Sequence, residues 1–122
     1  DPAGNIGAVS SVPFTTTVDN TPPTNAAGFP KLGAVRDHEI DVDTQTNENG
    51  KAYVVVVPKG AAAPSAKQVR QGKAAANAAP VAFAAGNIVA DQPNSVTVFN
   101  LIQETDYDAY VVCEDNAGNG QA

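Results

Sequence analysis

Leu101-Ile102-Gln103-Glu104-Thr105-Asp106-Tyr107-Asp108-Ala109-Tyr110-Val111-Val112-Cys113 is the stretch that decides how this chain reads. From Thr105 onward, Tyr107, Ala109, Val111 and Cys113 recur at every second position, which is the period of a β-strand and not of a helix. Upstream, residues 95–99 form another strand-like run, and residues 81–84 and 88–90 form weaker ones. Before them lies a single helix signal. Pro64-Ser65 offers an N-cap, residues 66–71 supply about two turns, and Gly72 suits the C′ position, which predicts a surface crossover.

Further upstream, residues 51–57 carry a Val run that implies burial on both faces. Residues 38–46 alternate, with Ile40, Val42 and Thr44 on one face and Glu39, Asp41 and Asp43 on the other. Asn47-Glu48-Asn49-Gly50 between these two runs has the composition of a hairpin turn. Phe29, Leu32 and Val35 mark a short earlier strand, and Asp19-Asn20-Thr21-Pro22-Pro23 is a stiff connector. Residues 6–18 are strand-like, with Pro13 indicating an edge position or a bulge. Val, Ala and Thr dominate, and the 10 Gly and 9 Pro are scattered, as many short strands and turns require.

One motif occurs twice. Asp1-Pro2-Ala3-Gly4-Asn5 returns as Asp115-Asn116-Ala117-Gly118-Asn119, and Ala8 matches Ala122. Turns are rich in these residue types, but copies in the same relative context at both extremities read as one period of a longer repetitive chain or polymer.

The spacing L-x-x-x-T-x-Y-x-A-x-V-x-C resembles the E–F corner and F strand of fibronectin type III domains. By that resemblance Tyr107 is a tyrosine corner, and Ala109, Val111 and Cys113 point into the core. Residues 19–35, the Pro-Ser-x-x-Gln-Val run at 64–69 and residues 114–119 are similar to the Ig-like repeats of bacterial surface proteins. The Trp usual in the second strand of fibronectin type III domains is missing. The resemblance implies an all-β, Ig-like or fibronectin type III-like β-sandwich of about seven strands, extracellular and at a cell surface or in a filament. Such motifs specify fold better than function.

Counted from Phe29, strands A to F are complete by Cys113, and strand G is not provided for. A segment that follows the A-G-N motif does exist, as residues 6–18. The expectation is therefore a division into residues 1–20, a G-type donor strand with its connector, and residues 21–122, a sandwich lacking its own last strand. An unfilled sheet edge calls for a partner strand. Ile6, Ala8, Val9, Val12 and Phe14 are the expected donor contacts, and the expected partners are copies of the same chain or neighbouring repeats, head to tail. Self-closure by the chain's own segment is the alternative.

Chemistry is sparse. With 13 acidic against 7 basic side chains the net charge is −6, and no basic stripe exists for nucleic acid. No apolar run is long enough to span a membrane, and the N-terminus lacks the pattern of a signal peptide. Cys113 is the only cysteine, so no intrachain disulfide forms, and it reads as a core residue. His38 is the only histidine and reads as a solvated strand residue, so no Ser-His-acid arrangement arises and an enzyme is not expected. Asp41 and Asp43 do not match a calcium loop in spacing. Asp1, Asn5, Asp19, Asp115 and Asn119 are the candidate ligands of a structural calcium at the junction, against the plainer reading that they shape turns. No other cofactor is expected. The function these features imply is a structural repeat or subunit of a fibre, pilus-like filament or adhesin stalk. A ligand-binding adhesive domain and an accessory module of a secreted enzyme are the alternatives.

Overall fold

The computed structural model describes residues 10–122, which build six strands in two antiparallel sheets. Strands β1 (Lys31–Val35), β2 (Ile40–Thr44) and β5 (Asn94–Val98) form one sheet in the order β1-β2-β5. Strands β3 (Gly50–Pro58), β4 (Ala82–Ile88) and β6 (Tyr107–Asp115) form the other in the order β4-β3-β6. About seven strands were expected. The seventh was assigned to residues 6–18, of which residues 10–18 belong to no strand, while Ile6, Ala8 and Val9 lie outside the described residues.

Alternation explains the core. Val42 from β2, Val54 and Val56 from β3, Ile88 from β4, Val96 and Val98 from β5, and Cys113 from β6 meet between the sheets. A fully buried Val contributes about 1.5–3 kcal/mol, so this cluster is the main source of stability. The other face of β3 carries Val55 and Val57, which pack with Val112 under Val69. Val69 sits on helix α1 (Ala66–Arg70), which is therefore more than a surface crossover. Its capping box closes as Ser65 Oγ accepts the Gln68 N–H at 3.1 Å and Gln68 Oε1 accepts the Ser65 N–H at 2.8 Å.

Two expectations change. Residues 47–50 do not close a hairpin, because β2 and β3 lie in different sheets and the segment crosses between them. The weak runs at 81–84 and 88–90 belong to one continuous β4, with Gly86 facing Val96 of the opposite sheet so closely that an added Cβ would stand 3.0 Å from Val96 Cγ2. Small residues there reflect close approach of the two sheets, which sequence propensity reads as weakness.

Candidate functional site

Among the described residues, the sheet edge at β6 is open over most of its length. On one side β6 pairs with β3 from Tyr107 to Asp115. On the other, the only contact among the described residues is at its end, where Gly120 bridges Glu114 in antiparallel sense. There Gln121 N–H donates to the Cys113 carbonyl at 3.0 Å, and Gln121 Oε1 accepts the Cys113 N–H at 3.0 Å. The facing edge of the other sheet is β1, every residue of which is exposed.

Between these two edges runs a groove of about 550 Å³ whose apolar lining includes Leu32, Val35, Val42, Val56, Leu101 and Val111. Leu32 is 57% exposed and Val35 66%. Ala109 is exposed although its neighbours on the same face, Tyr107, Val111 and Cys113, join the inter-sheet core. Apolar side chains on the groove side of β1 and β6 thus face solvent. The far end of the groove is shaped by Tyr107, whose hydroxyl accepts the Ile102 N–H at 3.0 Å. Val12 and Phe14, expected donor contacts, are 82% and 85% exposed and touch no core of their own chain.

At the other end of β6 stands the repeated Asp-x-Ala-Gly-Asn turn. Asp115 Oδ1 accepts the N–H groups of Ala117 at 2.9 Å and Asn119 at 2.8 Å, so the carboxylate itself builds the turn. Asn119 Nδ2 donates to Asp115 Oδ2 at 2.9 Å and to the Asp19 carbonyl at 2.8 Å. Gln121 Nε2 donates to the Pro23 carbonyl and to Asn25 Oδ1, both at 3.0 Å. The connector is therefore tied to the end of β6.

Of the five expected calcium ligands the structure brings together Asp19, Asp115 and Asn119, while Asp1 and Asn5 lie outside the described residues. Glu48 joins them from the β2–β3 crossing, and carboxylate oxygens of Asp19, Glu48 and Asp115 lie within 4.8 Å of one another. Only the tertiary fold shows this, since Glu48 is distant in sequence from both. The Asn119 amide holds Asp115 below its ordinary range. Burial, with the charges of Asp19 and Asp115, pushes Glu48 above its own. Its Oε2 is sealed from solvent without a hydrogen-bond partner among the described residues.

A prediction follows from that imbalance. A carboxyl with a raised folded pKa contributes full stability below its unfolded pKa and loses it as pH rises through the folded value. Glu48→Gln removes the charge, so its melting temperature at pH 7 is expected to exceed that of the parent. The difference should vanish as pH falls into the carboxylate range, and an equal or lower melting temperature at pH 7 would contradict it.

The remaining sequence candidates are occupied structurally. Arg36 binds Asp41 at 2.7 Å and Glu39 at 2.8 Å, Thr97 Oγ1 donates to Asp41 Oδ1 at 2.8 Å, and the Ser95 hydroxyl donates to Asp43. His38 Nδ1 lies 2.9 Å from the Leu101 carbonyl oxygen. Burial pushes the Cys113 thiol up to about 11, far from a reactive thiolate. No helix among the described residues is long and apolar enough to cross a membrane.

Fold and groove together define a class: a sandwich-like, mostly β protein of two antiparallel sheets with an apolar groove between the edges of β1 and β6. The chain matches no protein-family model, no curated protein and no solved structure.

Proposed function

We propose that this chain is a structural repeat or subunit of an extracellular fibre, filament or adhesin stalk, joined head to tail by β-strand complementation. Residues 6–14 of one unit fill the groove between β1 and β6 of the unit that precedes it. The observation that carries the reading is the apolar groove itself, bordered by a β6 edge left unpaired between Tyr107 and Val112 among the described residues. An edge of this kind presents main-chain donors and acceptors to an added strand, and alternating pockets select its side chains. Ile6, Ala8, Val12 and Phe14 supply an apolar face of matching period. The extracellular setting rests on the resemblance to bacterial surface repeats.

The test is sedimentation of the full chain over a range of concentrations, with and without a synthetic peptide of residues 5–18. Mass should climb with concentration, and excess peptide should return the chain to one unit by occupying every groove. A chain that stays monomeric throughout and leaves labelled peptide unbound refutes the reading.

A further inference from the structure

The backbone at the β6 edge fixes which of its residues can bond an incoming strand. Both the N–H and the C=O of Cys113 face outward, since Gln121 binds them both. Backbone groups in an antiparallel strand alternate sides, so Val111, Ala109 and Tyr107 turn theirs to the same open edge. Their side chains also share the face that looks into the groove, since Cys113 belongs to the inter-sheet core and Tyr107 and Val111 pack against it.

Polarity follows from the connector. Asp19 lies against Asn119 at the turn end of β6, so the chain's own residues 6–18, folded back into its groove, would run parallel to β6. Every pairing in the β4-β3-β6 sheet is antiparallel. A strand from a second copy that enters at the turn end runs antiparallel, in the direction Gly120 already takes beside Glu114.

Two registers then compete. If the repeat is laid on the tail, Ile6 takes the place of Gly120 opposite Glu114, Val12 meets Asp108, and Ser11 faces the groove. Two of the three large aliphatic residues, Ile6 and Val12, then lie beside acidic ones, and Val9 alone of the three faces the groove, opposite Val111. Shifted by one residue, Ile6 stands opposite Cys113, Ala8 opposite Val111, Ser10 opposite Ala109 and Val12 opposite Tyr107. Phe14 then reaches the end of the groove lined by Leu101 and Thr105. In this register Val9 turns to the helix-covered face opposite Tyr110, which packs against the second core cluster. A one-residue slip exchanges the two faces of a strand, so only one register buries the apolar set.

We infer that the groove takes residues 6–14 of a second copy antiparallel to β6, with Ala8 opposite Val111 and Val12 opposite Tyr107, and that Ile6 displaces Gln121 from Cys113. This register rests on the strand-donation reading above.

Disulfide trapping tests it. Directly opposed residues that exchange both main-chain bonds have Cα atoms about 5.5 Å apart, within disulfide reach. The full chain carrying Ala109→Cys, an exposed position, is mixed under mild oxidation with peptides of residues 5–18 bearing either Ser10→Cys or Ser11→Cys. Cross-linking should favour Ser10→Cys by on the order of tenfold or more, because only that pair lies directly opposed. Val111→Cys with Ala8→Cys against Val9→Cys repeats the comparison one pair along. Preference for Ser11→Cys and Val9→Cys would overturn the register and leave strand donation standing. No cross-link with any peptide would also overturn it, and binding of labelled wild-type peptide then separates a wrong register from a wrong occupant.

Discussion

Removing residues 1–18 is expected to abolish head-to-tail assembly while both sheets stay folded. Residues 10–18 are exposed throughout, and the inter-sheet cluster draws on residues 40–113, so the deletion takes away no described core contact. What it removes is the face proposed for donation, Ile6, Ala8, Val12 and Phe14. A buried Val, Ile or Phe contributes about 1.5–3 kcal/mol, while association costs at least about 4 kcal/mol in lost freedom. Losing the whole face should therefore weaken assembly by on the order of 100-fold or more. The truncated chain keeps its open β6 edge and is expected to aggregate slowly and without order. Electron microscopy reads both effects, and regular fibres identical to those of the full chain would sink the strand-donation reading.

The second large effect is structural. Gly50, the first residue of β3, is buried and pairs with Ile88 on one side and Asp115 on the other. A Cβ there would collide with the Glu114 carbonyl oxygen and stand 2.8 Å from Glu114 C and 2.9 Å from Asp115 Cα. All three are backbone atoms of β6, so neither strand can yield without breaking the pairing. Gly50→Ala is expected to cost at least ~3 kcal/mol in urea denaturation, beyond the usual range of overpacking. Gly60→Ala provides the contrast. That residue has φ of +82° with no atom within 4 Å of an added Cβ, so its loss comes from the left-handed backbone alone, about 1 kcal/mol. Equal losses at the two positions would contradict the contact between β3 and β6 described above.

Much of the fold was legible because its strands are regular where they are most buried. The alternation at Tyr107, Ala109, Val111 and Cys113 became β6, and the unbroken run Val54 to Val57 became a strand with a core on each face. Ser65 announced its helix by cap chemistry alone. Other features had no local signature. Gly50 reads as a turn residue, yet its role is to let β6 come close. Val69 is the one buried residue of a five-residue helix, too short for any period to betray its burial. Glu48 meets Asp19 and Asp115 only after three remote segments converge. The pattern of apolar residues at 6–14 could be read directly, but the groove between β1 and β6 depends on which strand edges the topology brings together.

The ties from Asn119 to Asp19 and from Gln121 to Pro23 decide how a fibre of such units would carry tension. They anchor the connector at the turn end of β6, the end where a strand donated in the proposed antiparallel sense would enter before leaving toward the opposite end. Stretching the fibre then pulls the acceptor and the donated strand in opposite directions along their common axis. The main-chain bonds between them are loaded in shear and together, not peeled apart one after another.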